Sequence, residues 1–351
     1  MLPEWVYQEC PERSQRHRDA ALARQGQLTK PAGSLGRLEQ IAVDLAGLQQ
    51  TERPCAARVP IIIFAGDHGI VAEGVSAYPQ EVTIAMMSNF AAGGAAISVL
   101  ARELGSTLEV VDAGTLAPSP LPGIVTDKPR HGSRNFSKEA ALAPEEVNFA
   151  IECGRRAVLR AIATRPDVLI LGEMGIGNTT SSAAIAAALL ALEAEQTVGN
   201  GTGVDAIGRA RKVRVIDRAL ARHGLAKPGI SAEEILRAVG GLEIIAICGA
   251  ILAAAKHRLP ILLDGFIVSV AALAAVRIDP SCRRYLLASH RSAEQGHGMV
   301  LEALNLQPLV DLDLRLGEGS GAAIALPLLR LACALHNEMA TFAQANVPGA
   351  S

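Results

Sequence analysis

Two short stretches of this chain set a carboxylate among glycines just where a helix is due to begin. The first, Gly172-Glu173-Met174-Gly175-Ile176-Gly177-Asn178-Thr179-Thr180, follows the apolar run Val168-Leu169-Ile170-Leu171. A buried strand, a glycine turn and a helix start together present backbone N–H groups and a positive dipole end to an anion such as a phosphate. It is neither G-x-G-x-x-G nor a Walker loop, whose lysine and spacing are missing. The plainer reading is a tight turn capped by Asn178. Glu173 speaks for a ligand, because a carboxylate beside an anion site is unfavourable unless the ligand also offers it something to bind. The second stretch is Gly317-Glu318-Gly319-Ser320-Gly321. Glycine on both sides leaves Glu318 accessible, and apolar walls would raise its pKa toward that of a useful general base. A helix N-terminus beside it would lower that pKa instead. The sequence leaves the contest open.

Three further groups could serve a ligand. Gly201-Thr202-Gly203 repeats the turn-then-helix logic, with Lys212 two turns on as an ammonium for the same anion or as a solvated helix lysine. Gly66-Asp67-His68-Gly69 could ligate a metal with His290 or His297, although metal sites usually show tighter spacing. The other reading is that Asp67 and His68 hold neighbouring loops together and floor a pocket. The loops Glu73–Gln80 and Ser289–His297 are candidate pocket walls, the latter dense in hydrogen-bonding groups for so apolar a chain. No Ser-His-Asp order and no G-x-S-x-G elbow is present, which argues against hydrolytic acyl chemistry.

The elements that must position these groups alternate. Apolar strands are expected at Val59–Ala65, Leu108–Asp112, 167–171, Pro260–Leu263, Tyr285–Ala288 and Leu312–Leu316, with helices between them. One of these helices, Glu81–Leu104, is expected to break at Gly93-Gly94. Buried strands alternating with helices predict an α/β fold, a mostly parallel sheet with helices on both faces. Its ligand then lies outside the carboxyl ends of the strands, where nearly every polar motif here falls. No strand precedes the helices near 14–28 and 37–50, so these are expected to form a helical appendage, with Thr51-Glu52-Arg53-Pro54 as its boundary.

Composition narrows the classes. Of 351 residues half are hydrophobic and only 3% aromatic, so a flat ligand would sit mainly between aliphatic walls. A net charge of −2 without long one-sign blocks argues against a nucleic-acid partner. Six scattered cysteines without a C-x-x-C pair fit reduced thiols better than a disulfide frame or a zinc site. The apolar run Pro260–Val276 contains Asp264-Gly265 and falls short of the roughly 20 residues of a membrane span. A soluble, cytoplasmic protein without a transmembrane segment is expected.

Lys30–Gly36, the loop GDHGI-EGVSAYPQEVT, Asn89–Ile97 (NFAAGGAAI), GEMGIGNTT, GTGVD, LDGFI, SHRSAEQGH and LGEGSGAA occur in order between about residues 28 and 340. Together they resemble the nicotinate-nucleotide–dimethylbenzimidazole phosphoribosyltransferase family, which makes the lower-ligand nucleotide of cobalamin. The resemblance implies transfer of 5-phosphoribosyl from nicotinate mononucleotide to 5,6-dimethylbenzimidazole by a homodimer, with inversion at C1′. It also implies a Rossmann-like sheet in a 51–318 core and a small helical domain of residues 1–50 with part of 319–351. Because a pyridinium is already a good leaving group, no metal and no cofactor are expected. It implies Glu318 as the catalytic proton acceptor and Glu173 as the second functional glutamate. Gly175, Gly177, Asn178, Thr179, Gly201, Thr202, Gly203, Lys212 and Ser289 fall on the phosphoribosyl side. Ser76, Tyr78, Leu314 and Leu316 fall on the base side. Relatives often carry a Gln early in the helix after Pro-Gln-Glu-Val-Thr, where this chain has Ile84-Ala85-Met86, so one hydrogen bond to the base is in question. Two other readings stand beside this one: a metal-dependent phosphohydrolase using Asp67, His68 and His290, and a nucleotide-binding regulator without turnover.

Overall fold

Ile61-Ile62-Ile63-Phe64 is too apolar for any surface, and in the computed structural model, which describes residues 2–201 and 203–348, it forms the middle of the sheet. This strand, β1 (Ile61–Gly66), pairs in parallel with β2 (Leu108–Gly114) on one side. Beyond β2 lies the two-residue β3 (Val125–Thr126). On the other side β1 pairs with β4 (Leu169–Met174), which continues to β5 (Ile261–Leu263) and β6 (Leu286–Ala288). The order is β3-β2-β1-β4-β5-β6, all parallel. The chain thus winds outward from β1 in one direction, returns, and winds outward in the other. The crevice where the winding reverses, between the carboxyl ends of β1 and β4, is where such sheets bind ligands.

Alternation of side chains along each strand explains why both faces are covered. Ile62, Phe64, Leu169, Leu171 and Leu263 join one apolar cluster with the helices Pro144–Ile162, Asn178–Leu190, Leu242–Lys256 and Phe266–Ile278. Ile61, Ile63, Val110, Ile170 and Leu262 join the other, with Ile41 and Leu45 of the helix Arg37–Gln49, Ile97 of Ala96–Leu104 and Leu326 of Ser320–Glu338. The helix Gln15–Gln25 packs on Arg37–Gln49, and Leu28 pairs with Thr341. The run Pro260–Val276 is β5 followed by a buried helix.

Glu81–Leu104 is, by length and composition, apolar enough to cross a membrane, with a mean hydropathy of 1.6. As the glycines require, it is broken into Glu81–Ala92 and Ala96–Leu104, with Gly93 left-handed at φ 84°. Leu312–Leu316, expected as a strand, is not one. The pairing nearby is that of β7 (His290–Arg291) with β8 (Val310–Asp311), which stops short of it. Asp313 takes a left-handed φ of 54°, which ends any ladder, and Leu312 and Leu316 are 55% and 59% exposed. The alternation Leu-Asp-Leu-Arg-Leu imitates a half-buried strand without having a sheet to join.

Candidate active site

β4 delivers Glu173 to the crevice, and the turn after it is shaped by Gly177 at φ 97°. No side chain caps the helix Asn178–Leu190 that follows. Asn178 turns back instead, and its amide donates to Glu173 Oε2. The turn is also pinned from the neighbouring helix: Ile176 N–H donates to Thr83 Oγ1 (3.2 Å), which donates to Asp67 Oδ1 (2.7 Å). Next to this turn lies the Gly199–Gly201 loop, with Lys212 beneath it. Lys212 is 1% exposed, so it is not a solvated helix lysine. Its Nζ reaches Thr179 Oγ1 at 3.2 Å and the Gly199 carbonyl at 3.4 Å. Burial lowers its pKa to about 8, against the attraction of Glu294.

Glu318 reaches the same crevice from the turn before the helix Ser320–Glu338. It adopts φ 62°, between Gly317 at 89° and Gly319 at 76°. A Cβ on Gly317 would strike the Glu173 carboxylate, so the two turns touch only because that residue is glycine. The contest left open by sequence is decided here by Asp264, which stands just past the end of β5. Its carboxylate accepts the Gly319 and Ala322 N–H groups, each at 3.0 Å. The helix start is therefore already matched to Asp264 and does little to stabilise a charge on Glu318. Burial raises the Glu318 pKa, opposed by an N–H from Ile97 and reinforced by Asp264. Glu318 Oε2 is buried without a hydrogen-bond partner among the described residues. Glu173 is pushed further, to about 8, by burial and then by Asp264 and Glu243, with Asn178 opposing and Glu318 adding. Two adjacent carboxylates that both resist ionisation suit a ligand carrying positive charge.

A cavity of about 450 Å³ joins these turns. Glu173, Gly175, Asn178, Thr179, Gly201, Glu318, Tyr78 and Leu316, all anticipated from sequence, line it. Gly177 shapes the turn but faces Val71 and His68 rather than the cavity. Lys212 sits behind Thr179 and Gly201, and Gly203 has open space about it. Thr202 lies outside the described residues. Three further expected residues are not among the lining either. Ser289 is fully buried below it, its hydroxyl on His290 Nδ1 at 3.0 Å; three residues on, Ser292 lines the wall. Ser76 braces the Tyr78 backbone, its hydroxyl donating to the Tyr78 carbonyl at 3.0 Å. Leu314 is half-buried and holds Ala293 N–H with its carbonyl at 2.9 Å.

Sequence reasoning missed Val82, Met86, Asp264 and Arg315 as lining residues, and it reached Glu294 only as part of the candidate loop Ser289–His297. Asp264 had a legible signal, a lone carboxylate at the end of an apolar strand. Val82 and Met86 lie one helical turn apart on Glu81–Ala92, so they share the cavity face, while Ala85 is exposed. The proposed metal set does not assemble. Asp67 takes the Thr83 hydroxyl and the Leu116 N–H, His68 pairs with Glu243 at 2.5 Å, and His290 stands by Asp264 at 4.0 Å. Among the described residues no three His, Cys, Asp or Glu are grouped to hold an ion.

Known proteins are similar to this chain in sequence and fold. A family model described as a phosphoribosyltransferase matches residues 10–347. A protein of Bradyrhizobium diazoefficiens named nicotinate-nucleotide–dimethylbenzimidazole phosphoribosyltransferase is 74% identical over 348 residues, 99% of each chain. A Pseudomonas aeruginosa protein of the same name is 56% identical over 348 residues, again 99% of each. A crystal structure from Thermus thermophilus, titled with that enzyme's name, superposes with a TM-score of 0.90 at 45% identity, covering 96% of this chain and all of the other. With its parallel sheet, its glycine turns and these relatives matched end to end, the chain belongs to the nicotinate-nucleotide–dimethylbenzimidazole phosphoribosyltransferase family.

Proposed function

We propose that the chain transfers the 5-phosphoribosyl group of nicotinate mononucleotide to 5,6-dimethylbenzimidazole, giving α-ribazole 5′-phosphate and nicotinate. The observation that carries this reading is Glu318, a buried carboxylate with an unpartnered oxygen in the wall of an otherwise largely apolar cavity. As one benzimidazole nitrogen bonds to C1′, the C1′–N bond to nicotinate breaks and its electron pair neutralises the pyridinium. The proton on the other benzimidazole nitrogen becomes acidic and passes to Glu318. A raised pKa suits that task, since it brings the carboxylate closer to the operating pH. Attack from the face opposite nicotinate inverts C1′.

In this proposal the phosphate lies at the start of Asn178–Leu190, beside Gly175, Thr179, Gly201 and Lys212, where a helix end and an ammonium favour negative charge. The base lies against Tyr78, Val82, Met86 and Leu316. Glu173 faces the ribosyl group. The pyridinium and the oxocarbenium-like transition state both favour its ionised form, so a group that holds its proton before substrate binds stabilises charge when the reaction develops it.

We further propose a cytoplasmic homodimer, with residues 1–50 and part of 319–351 as a small helical unit docked on the 51–318 core. The pair of helices in Glu81–Leu104, apolar yet only 33% buried, supports a partner surface. The test is incubation of the full-length protein with nicotinate mononucleotide and a panel of benzimidazoles and phenols, with mass analysis of products and assignment of the anomer by NMR. Formation of α-ribazole 5′-phosphate and nicotinate is expected. Inorganic phosphate as the product would favour the phosphohydrolase, and tight binding without turnover would favour a regulator.

A further inference from the structure

The substrates of the proposed reaction bring few hydrogen-bond donors into the cavity. The phosphate and the nicotinate carboxylate are acceptors, the pyridinium carries no N–H, and the free base offers one N–H. The remaining donors are the 2′- and 3′-hydroxyls of the ribose. Against that supply stand two cavity-lining carboxylates, Glu318 and Glu294, each with a buried oxygen that no group among the described residues satisfies. Buried acceptors of this kind are rarely left without a partner. Glu318 takes the N–H of the base. Glu294 is left with the ribose.

The placement of Glu294 agrees. It is 8% exposed, and its Oε1 accepts the Gly201 N–H at 2.9 Å. Its own N–H is held by Ser292 Oγ at 3.3 Å, and His297 Nδ1 fixes the Ser292 N–H at 2.8 Å, so the loop is braced from both sides. The unpartnered Oε2 lies where a Cβ on Gly199 would stand. Lys212 approaches the same Gly199 from its carbonyl. A carboxylate and an ammonium therefore flank one turn. A phosphate can take the ammonium, but it repels the carboxylate unless the same ligand supplies donors a few bonds away, which a ribose does.

We propose that Glu294 accepts a hydrogen bond from the ribose 2′- or 3′-hydroxyl and makes the site specific for ribosyl over deoxyribosyl nucleotides. This rests on the phosphoribosyl reading given above. A carboxylate that only balances Lys212 and steadies Gly201 would affect ribo- and deoxyribonucleotides alike.

Calorimetric affinities of the full-length protein for nicotinate mononucleotide, its 2′-deoxy form and its 3′-deoxy form separate the two roles. Wild type should bind at least one deoxy form about 10- to 100-fold more weakly, the span for a hydrogen bond to a charged group. Glu294→Ala, or Glu294→Met where Ala does not fold, removes the acceptor and should bring that gap to within about threefold while still binding the ribonucleotide. Equal wild-type affinity for all three nucleotides overturns the proposal, and so does a gap unchanged in the variant. A protein that binds none of them overturns the phosphoribosyl reading itself.

Discussion

The turns after β4 and before the helix Ser320–Glu338 share one sequence grammar, a glutamate between glycines at a helix start, yet they produce opposite sites. In the first, Glu173 belongs to the strand, its backbone is locked into the ladder opposite Phe64, and its carboxylate is held by Asn178. In the second, Glu318 hangs in a left-handed turn whose following helix start is bound by Asp264, and one of its oxygens has no partner. The same residue type is thus held by a neighbouring side chain in one turn and, in the other, buried with one oxygen unpartnered among the described residues. Reactivity follows from what surrounds the carboxylate, and the sharpest test is to exchange charge for shape at each.

Glu318→Gln keeps size and hydrogen-bonding form but removes the base. Turnover should fall by about 10²–10⁴, the usual span for a lost general base. Nucleotide affinity should change little, because the phosphate contacts lie on other loops. Glu173→Gln should cost no more than about 10², the scale of a mispositioned group, since the amide can still accept from Asn178. Single-turnover rates and nucleotide affinities measured on both variants separate the roles. Near-normal turnover in the Glu318 variant with a dead Glu173 variant would reverse the assignment of the two turns.

Much of this contrast was legible in the sequence, and the rest was hidden for physical reasons. β1, β4 and their turns could be read because buried apolar strands followed by glycine leave few alternatives. Which of two effects governs Glu318 could not be read, since Asp264 lies 54 residues earlier (318 − 264) and only the parallel pairing of β4 with β5 brings it near. Lys212 resembles any helix lysine until the fold buries it. The Ser289–His297 loop could be chosen as a whole, but whether Ser289 or Ser292 faces the ligand depends on how β7 leaves the sheet edge. Leu312–Leu316 misled because alternation marks a strand only where a neighbour offers a ladder.

The first turn can be probed through its cation. Lys212→Ala should weaken nicotinate mononucleotide binding by about 1.5–3 kcal/mol, the worth of a hydrogen bond to a charged group, and free-base binding by far less. The pH dependence has a definite sign. Burial has lowered this ammonium to about 8, so it is charged below that pH and increasingly neutral above it. Wild-type nucleotide affinity should therefore fall as the pH rises through about 8, with bound phosphate moving the midpoint upward, whereas Lys212→Ala should lack this step. An unchanged affinity in calorimetry, or the same step in the variant, would remove Lys212 from the phosphate site.

The smallest effect belongs to the wall around the second turn. Val82 and Met86 present one aliphatic face to the cavity, with Tyr78 and Leu316 beside them, and Ile84-Ala85 supply no amide. Among these side chains only the Tyr78 hydroxyl is polar, so shape and Glu318 orient the base. A methyl group in an apolar pocket is worth only about 1–3 kcal/mol, so 5-methylbenzimidazole, one methyl larger, should be preferred over benzimidazole by about 10- to 200-fold in kcat/KM. Met86→Ala removes part of the surface that would contact a methyl group, and this preference should shrink, while the rate with benzimidazole itself stays within a few-fold of wild type. Comparing kcat/KM for the two bases in both proteins checks this. A wild-type preference above about a thousandfold would require a directional polar contact that this wall does not contain. An equal loss with both bases in Met86→Ala would mean that Met86 supports the helix rather than the ligand.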